Sequence, residues 1–264
     1  MSATSILRAE GVRLGYADRV IVDDLHLSIA EGEFTVIIGP NACGKSTVLR
    51  ALGRMLRPQA GRVLLAEREL HEHSAKEAAK HIALLPQSPL VPEALTVADL
   101  VARGRYPHQR LLRQWSNADE IAVQSALEQV QMLEHADRFV DELSGGQRQR
   151  VWIALSLAQE TPILLLDEPT TYLDIAHQIE VLELCAELNK AGRTLVAVLH
   201  DLNLAARYAT TLVAMCDGRI VSQGTPADVL TPQLLHEVFD LEARVVPDPE
   251  NGLPMVVPRD RRQR

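Results

Sequence analysis

The 264-residue sequence is poor in aromatic residues, with two Trp, four Tyr and three Phe, and its acidic residues outnumber its basic residues by 35 to 27. Nucleic-acid binding favours cations for the phosphates and aromatic rings for the bases, so this composition argues against nucleic acid as a partner.

Long apolar runs are also missing. A run such as residues 195–199 is five residues long, far below the roughly 18 that cross a bilayer. The first 30 residues contain no apolar stretch of the signal-peptide kind. We therefore expect a soluble, cytosolic protein.

Cysteine is scarce and scattered. The three cysteines, Cys43, Cys185 and Cys216, are odd in number and widely spaced, which suits neither a disulfide framework nor a zinc cluster. This usage fits a reducing compartment. A chain of this length is expected to bury a sizeable core, as one large domain or as a core with a smaller inserted subdomain.

Short apolar runs alternate with amphipathic segments along the chain. Three strands are predicted near its start, at residues 6–9, 12–16 and 25–29. Later runs are apolar on both faces, as is typical of parallel strands buried between helices. These later runs are residues 82–85, 163–166, 194–199 and 212–215, and the opening of the chain closes with an apolar run at residues 34–38 that ends at a glycine. The fold class that this alternation predicts is α/β.

Between residue 87 and about residue 160 the pattern is helical only. Thr96 with Asp99 marks one helix start, and Asn117 marks another. The segment is therefore predicted to be an inserted helical subdomain. Residues 246–258 are rich in proline and weakly patterned, so no fold is predicted for the C-terminal tail, residues 241–264.

A glycine-rich loop follows the predicted strand at residues 34–38. It satisfies the pattern G-x-x-x-x-G-K-[ST] and precedes a helical pattern that starts at Ser46. In this order of strand, loop and helix, backbone N–H groups and the helix N-terminus surround a β-phosphate. Lys45 reaches the β and γ oxygens, and the Ser46 hydroxyl coordinates Mg²⁺. The predicted phosphate-binding residues are Gly39, Pro40, Asn41, Ala42, Cys43, Gly44, Lys45, Ser46 and Thr47.

Two acidic residues follow the apolar run at residues 163–166. A nucleoside triphosphatase needs a carboxylate at the C-terminal edge of a strand. We predict that Asp167 binds Mg²⁺ and that Glu168 orients or deprotonates the attacking water.

A serine followed by two glycines lies just upstream of that acidic strand. Residues 143–150, LSGGQRQR, resemble the signature motif of the ATP-binding-cassette (ABC) ATPases. Ser144 before two glycines and a helical run is in itself an N-cap and an anion-binding turn. The resemblance implies that this turn contacts the γ-phosphate of ATP held by a second protomer, through Ser144, Gly145, Gly146 and Gln147.

Four further residues match landmarks of the family in the expected order. The resemblance implies that Gln87 contacts Mg²⁺ and water and hinges the helical subdomain, and that Asp174 lies in a loop that signals between protomers. It also implies that His200 senses the γ-phosphate and that Tyr16 stacks on adenine. From the residues alone, Asp174 is also a plausible helix N-cap and Tyr16 a packing residue.

The resemblance extends beyond the nucleotide site. Residues 104–108, 176–180, 199–203 and 248–255 resemble the ATPase subunits of iron–siderophore importers, and haem and cobalamin importer subunits are close relatives. The implied function is ATP hydrolysis that energises ferric siderophore uptake. A haem or cobalamin importer ATPase, and a soluble ABC ATPase of an assembly scaffold, are the open alternatives. Ala42 departs from the pattern, because these relatives usually have glycine there. A positive φ at Ala42 would cost on the order of 1 kcal/mol.

The resemblance implies a P-loop NTPase core with an N-terminal antiparallel β subdomain and an inserted α-helical subdomain. Residues 1–86 and 161–240 would form the nucleotide-binding core and residues 87–160 the helical subdomain of a single ABC ATPase domain. The implied cofactors are ATP and Mg²⁺. The implied partners are a second copy of the chain, transmembrane permease subunits and, indirectly, a substrate-binding protein. The implied location is peripheral, at the cytoplasmic face of the inner membrane.

Two local features lead to further expectations. Cys43 lies near a helix N-terminus and Lys45, an electropositive setting that favours a reactive thiolate.

The stretch between Asp99 and Asp119 contains no acid, and we interpret it as a surface for a partner protein, with a merely solvated surface as the alternative. Its basic and aromatic residues are Arg103, Arg105, Tyr106, Arg110, Arg113 and Trp115.

Overall fold

The computed structural model describes residues 5–87, 94–109, 115–171 and 173–260. The strands in these ranges are β1 (Ser5–Tyr16), β2 (Arg19–Ala30), β3 (Phe34–Ile38), β4 (Ala60–Leu65), β5 (Arg68–Glu69), β6 (Ile82–Leu85), β7 (Ile163–Asp167), β8 (Thr194–Val198), β9 (Thr211–Cys216), β10 (Arg219–Gly224), β11 (Ala243–Pro247) and β12 (Pro254–Pro258). The helices are α1 (Lys45–Leu52), α2 (Ala75–Ala78), α3 (Val97–Ala102), α4 (Asn117–Gln129), α5 (Gly145–Ala158), α6 (Ile175–Lys190), α7 (Leu202–Tyr208), α8 (Pro226–Val229) and α9 (Pro232–Phe239). Within the described ranges, no helix has the length and apolarity that a membrane span requires.

The chain divides into two compact units. The first unit contains the residues up to Glu72 together with those from Thr194 onward, and the second unit is His73–Arg193. The second unit holds the helical segment that the sequence predicts, along with strands β6 and β7. The division into a nucleotide-binding core and a helical subdomain at residues 87 and 160 stays a prediction.

An antiparallel sheet opens the first unit, as predicted, with strand order β2-β1-β4-β5. Its first strand differs from the prediction. The two short strands expected at residues 6–9 and 12–16 form one continuous strand, β1, whose register against β2 shifts between Ala9 and Val12. Buried positions alternate with half-buried ones along much of β1 and with exposed ones along much of β2, as is typical of a sheet whose two faces are unequally covered.

The second sheet region of the first unit is built around β3. Strand β3 pairs in parallel with β8 on one side and β9 on the other, and β10 pairs antiparallel to β9. Every residue of β3 and of β8 is buried. This burial on both faces explains why these strands are continuous apolar runs in the sequence.

In the second unit, β6 pairs in parallel with β7, and helices α3, α4 and α5 pack on one another. The predicted cap at Thr96 is present, since its Oγ1 accepts a hydrogen bond from the Asp99 backbone N–H at 3.1 Å. The second cap is shifted by one residue. Ser116 caps α4, in a reciprocal capping box with Asp119, and Asn117 is the first residue of the helix.

Arg105 corrects the expectation of a partner-binding surface. Its residue is 4% exposed, and its guanidinium donates to Asp119 Oδ1 at 3.0 Å, to the Ala158 carbonyl at 2.7 Å and to Glu160 Oε2 at 2.6 Å. A buried cation is tolerated only when it is paired in this way. The Ser116 hydroxyl, followed by Arg105, holds the pKa of Asp119 below its usual range. Arg105 is therefore an internal cross-link of the second unit.

The other members of that stretch divide into two groups. Arg103, Tyr106 and Trp115 are exposed, which is compatible with the interpretation as a partner surface. Arg110 and Arg113 lie outside the described residues.

The C-terminal tail, for which no fold was predicted, contains an antiparallel hairpin of β11 and β12. The side-chain amide of Asn203 in α7 forms two hydrogen bonds with the backbone of Val256 in this hairpin, one as donor and one as acceptor. Its Oδ1 accepts from the Val256 N–H at 2.7 Å, and its Nδ2 donates to the Val256 carbonyl at 3.3 Å. An isolated two-stranded hairpin is at best marginally stable, so this contact with α7 supports it.

Candidate functional site

Residues 39–47, here called the glycine loop, connect β3 to α1 in the first unit. Gly39 has a φ of 153°, and a Cβ there would lie 2.2 Å from the Met215 carbonyl oxygen. Gly44 has a φ of 105° and is the N-cap of α1. Both positions need glycine, the first for space and the second for its left-handed backbone. The predicted order of strand, loop and helix is present.

Ala42 has a φ of 63°. Its backbone is therefore in the left-handed region, where a Cβ costs roughly 1–2 kcal/mol. Alanine therefore replaces the usual glycine of the family pattern at a position whose left-handed backbone conformation glycine would adopt without this cost.

The Lys45 side chain turns back onto the glycine loop. Its Nζ donates to the carbonyl oxygens of Gly39 at 2.9 Å and Pro40 at 2.7 Å, and the residue is 5% exposed. The ammonium thus lies inside the curve of the loop, where a phosphate oxygen would be recognised by its charge.

The expectation of a reactive Cys43 thiolate is wrong. Burial raises the pKa of the Cys43 thiol, and the charge of nearby Lys45 only partly opposes this effect. Cys43 is 6% exposed. Desolvation of a thiolate in this packed position outweighs the attraction of one cation.

Residues 167–171, here called the carboxylate turn, follow β7 in the second unit. Asp167 is 2% exposed at the end of the strand. Glu168 has a φ of 54°. Its Oε2 accepts a hydrogen bond from Gln87 Nε2 at 2.6 Å and another from Thr171 Oγ1 at 3.0 Å. The structure therefore brings together three predicted residues, Gln87, Asp167 and Glu168, and adds Thr171.

The parallel pairing of β6 and β7 explains this meeting. Leu85 lies opposite Leu166 in the register of the two strands. Since the carboxyl ends of parallel strands meet at the same sheet edge, Gln87 and the carboxylate turn leave the sheet side by side.

The serine–glycine turn predicted from the signature motif is the start of α5. Ser144 Oγ accepts from the Gln147 N–H at 3.3 Å, and Gln147 Oε1 accepts from the Ser144 N–H at 3.1 Å. This reciprocal capping box leaves Ser144 and Gly145 exposed. A Cβ on Gly145 would have no atom within 4 Å. The turn is therefore an open helix N-terminus with the partial positive charge that attracts anions.

Asp174 is the N-cap of α6, as the residue pattern alone also allowed. Its Oδ1 accepts from the His177 N–H at 3.0 Å and from His177 Nδ1 at 2.7 Å. These hydrogen bonds lower the pKa of Asp174. The neighbouring Ile175 is 76% exposed, so the start of α6 presents a large apolar side chain to its surroundings.

His200 lies near the glycine loop in the sheet of the first unit. It follows β8, and the Leu199 N–H donates to the Ile37 carbonyl of β3 at 3.3 Å. The parallel pairing places His200 and the glycine loop at the same sheet edge. Asp201 caps α7 by accepting from two backbone N–H groups, those of Asn203 at 2.8 Å and Leu204 at 2.9 Å.

Tyr16 ends β1 in the same unit, and it is 45% exposed. Its hydroxyl accepts from Arg50 Nη1 at 3.1 Å, which joins the end of the strand to α1. The ring is accessible, as stacking on a base requires. The predicted role of Tyr16 stays a prediction.

Sequence reasoning missed Thr171, Arg50 and Asn203. Their contacts are to Glu168, Tyr16 and Val256, respectively. Arg50 and Asn203 act on residues far away in the chain, so no local pattern marks them. For Thr171 a signal exists, since a hydroxyl three residues after an acid can close a turn onto it.

A buried parallel strand, a glycine loop, a helix and strand-end carboxylates define a P-loop nucleoside triphosphatase. Residues 22–171 match the family model described as ABC transporter, and the chain belongs to this family. It is accordingly an ATP-binding protein and an ATPase.

Similar proteins span nearly the whole chain. It is 55% identical over 258 residues to YusV of Bacillus subtilis (strain 168), designated a probable siderophore transport system ATP-binding protein, covering 97% of this chain and 94% of the relative. It is 50% identical over 256 residues to the ferric enterobactin transport ATP-binding protein FepC of Escherichia coli (strain K12), covering 97% and 94%. Among solved structures, an inward-facing ABC transporter considered to be of the metal-chelate type matches with a TM-score of 0.84 at 27% identity, covering 98% of this chain and 99% of that chain.

Proposed function

We propose that this chain is the ATP-hydrolysing subunit of an importer that energises uptake of ferric siderophores across the cytoplasmic membrane. The observation that carries the proposal is the similarity, over nearly the whole chain, to siderophore and ferric enterobactin transport ATP-binding proteins. No group of three or more His, Cys, Asp or Glu side chains that could hold a metal ion is present among the described residues. The iron chelate is cargo carried by other subunits in this proposal.

The proposed roles in hydrolysis follow from the residues of each unit. In the first unit, the glycine loop binds the phosphates, Lys45 neutralises the β and γ oxygens, His200 contacts the γ-phosphate and Tyr16 stacks on adenine. In the second unit, Glu168 orients the attacking water and accepts its proton. The γ-phosphorus–oxygen bond to ADP breaks as the water oxygen bonds to phosphorus, which yields ADP and phosphate.

Mg²⁺ is the metal that this donor set fits. Asp167 places a carboxylate at the end of a buried strand, where it is 2% exposed, and hard divalent cations prefer oxygen ligands of this kind. Asp167 and the Gln87 amide oxygen are proposed ligands, and the Ser46 hydroxyl is proposed as a further ligand from the glycine-loop sequence pattern alone. When bound, the ion neutralises charge on the β- and γ-phosphates.

The working form is proposed to be a homodimer on the cytoplasmic face of the membrane, bound to two permease subunits. The open turn at Ser144 and Gly145, together with the exposed Ile175 beside Asp174, supports this proposal. A Cβ on Gly146 of the turn would lie 2.8 Å from His177, which is two residues after Ile175 in α6. An exposed anion-binding turn and an exposed apolar side chain at the starts of these two helices suit a partner that supplies a phosphate and an apolar contact. Ser144, Gly145, Gly146, Gln147 and Asp174 would serve the ATP of the other protomer.

Mixing two inactive variants tests the homodimer. A Lys45→Ala protomer paired with a Ser144→Arg protomer has one site with both defects and one site with neither. We expect ATPase activity in the isolated heterodimer where each variant alone is inactive. An isolated heterodimer without activity would contradict action of the signature turn in trans.

Uptake by a deletion strain tests the cargo. Without the gene we expect loss of growth on ferric siderophores under iron limitation, restored by the wild-type gene and not by the Lys45→Ala gene. Intact siderophore uptake with a selective defect in haem or labelled cobalamin uptake would replace the proposed cargo. Failure to co-purify with any polytopic membrane protein would favour a soluble assembly ATPase.

A further inference from the structure

Glu168 is held in a backbone conformation that its own residue type disfavours. Its φ of 54° is in the left-handed region, where a side chain with a Cβ costs roughly 1–2 kcal/mol. Such a conformation persists only where surrounding contacts impose it. The contacts that impose it on Glu168 therefore determine where the carboxylate points.

Thr171 makes two of those contacts. Its backbone N–H donates to the Glu168 carbonyl at 3.2 Å, and its Oγ1 donates to Glu168 Oε2 at 3.0 Å. One residue thus closes the carboxylate turn at the backbone and fixes the side chain at its end.

The chemistry of threonine suits this task. A β-branched side chain has few χ1 rotamers, so the Thr171 hydroxyl has few directions open to it, and in the structure it points to Glu168 Oε2. Both residues are half-buried, and a hydrogen bond to a charged acceptor there is stronger than one between neutral groups.

Gln87 differs from Thr171 in kind. It donates to the same oxygen, Glu168 Oε2, at 2.6 Å, but it comes from the chain segment after β6 and is exposed. Gln87 reaches Glu168 from the end of a different strand, whereas Thr171 belongs to the carboxylate turn itself.

We propose that Thr171 is a positioning residue for hydrolysis, whose hydroxyl keeps the Glu168 carboxylate aimed at the attacking water. This inference rests on the proposed function, because it takes Glu168 as the group that acts on water. With Oε2 anchored by Thr171, rotation of the carboxylate about its side-chain torsions is restricted in every state that preserves the turn.

A matched pair of variants separates the hydroxyl from the shape of the side chain. Thr171→Val keeps the β-branched outline and removes the donor, and Thr171→Ser keeps the donor. For Thr171→Val we expect kcat to fall roughly ten- to a hundred-fold, the effect of misplacing one reacting group, with KM for ATP unchanged. Thr171→Ser is expected to restore most of kcat.

A double-mutant cycle shows whether Thr171 acts through Glu168. Single-turnover rates are measured for Thr171→Val, for Glu168→Ala and for the double variant. We expect Thr171→Val to have no further effect when Glu168 is absent. If Thr171→Val fails to fold, as judged by its thermal melting, Thr171→Ala replaces it.

Three outcomes count against this inference or the proposal on which it rests. Undiminished kcat in Thr171→Val, or an equal loss with and without Glu168, would overturn the role of Thr171 alone. Full turnover in Glu168→Ala would overturn the proposed role of Glu168 itself.

Discussion

The glycine loop after β3 and the carboxylate turn after β7 both follow a buried parallel strand and both enter left-handed backbone conformations. They do so with different residues. The glycine loop places glycine at two of its unusual positions, Gly39 and Gly44, and Ala42 is the exception. In the carboxylate turn the left-handed residue is Glu168, the side chain that is proposed to act on water.

This difference separates two ways of building a site. Glycine adopts the loop conformation without help, so the phosphate-binding loop is largely a local property of the sequence. Glu168 needs Gln87 and Thr171 to hold it, so the aim of the carboxylate depends on tertiary contacts. We therefore expect the glycine loop to be sensitive to steric change and the carboxylate turn to loss of hydrogen bonds.

The largest effect is expected from Gly39→Ala. The added methyl would lie 2.2 Å from the Met215 carbonyl oxygen, so β9 or the glycine loop must move. We expect loss of ATP binding and destabilisation of at least about 3 kcal/mol, measured by nucleotide titration and denaturant unfolding.

Gly32→Ala is the matched control for that variant. Gly32 has a φ of 74°, but its Cβ would meet no atom within 4 Å. Gly32→Ala introduces a Cβ at a left-handed backbone position but creates no steric clash. We therefore expect a destabilisation of about 1 kcal/mol and normal ATP binding. Equal effects at the two glycines would show that space at Gly39 does not matter.

Glu168→Gln is expected to have the next largest effect. The amide cannot accept the proton of the attacking water, so turnover should fall at least about a hundred-fold. ATP binding should persist because the glycine loop is untouched, and a dimer should accumulate with ATP in size-exclusion chromatography. ATPase activity close to that of the wild type would remove Glu168 from the reaction.

Ala42→Gly should have a smaller and opposite effect. Glycine relieves the left-handed strain at φ 63° but gains freedom in the unfolded chain, so a stabilisation of at most about 1 kcal/mol is expected. Ala118→Gly, at the exposed second residue of α4, is the control and should destabilise by at most about 0.5–1 kcal/mol, the cost of glycine in a helix interior. Thermal melting of both variants measures the difference. A loss of stability at Ala42 as large as that at Ala118 would contradict strain in the loop.

The smallest effect concerns thiol reactivity in the glycine loop. Burial raises the pKa of Cys43, and it raises the pKa of the fully buried Cys185 to about 12. Burial and the neighbouring Asp217 also raise the pKa of Cys216. Because alkylation needs the thiolate, all three thiols should react slowly at neutral pH. Cys216 should react first because it is half-buried, whereas the other two are buried. Mass spectrometry after timed alkylation gives the order, and unfolded protein is the control. Fastest labelling of Cys43 would restore the electropositive interpretation of the loop.

The sequence predicts secondary structure correctly where the element is determined by residues within one short segment. The buried strands were visible as continuous apolar runs, and the caps at Thr96 and Ser144 were visible because the capping residue and its partners are three positions apart. The β1 strand was only partly predicted. Its register shift between Ala9 and Val12 breaks the alternation that marks a strand in sequence.

The sequence-based predictions failed where the environment of a side chain is set by residues far away in the chain. Arg105 has the charge of a surface residue, but Asp119, Ala158 and Glu160 surround it inside the second unit. The tail has prolines at its strand ends, Pro247, Pro254 and Pro258, which weaken any strand signal. Its hairpin is tied to Asn203, about fifty positions earlier in the chain.

The sequence by itself determined the family, the order of the chemical groups and the phosphate-binding loop, because these depend on residue types at fixed short spacing and on the backbone freedom of glycine. Only the tertiary structure decided that Cys43 is desolvated, that Arg105 is internal and that Glu168 is held by Gln87 and Thr171. Burial and side-chain hydrogen bonding depend on which segments of the chain are neighbours in the folded structure. A short sequence pattern does not specify those neighbours, because they lie far apart in the chain.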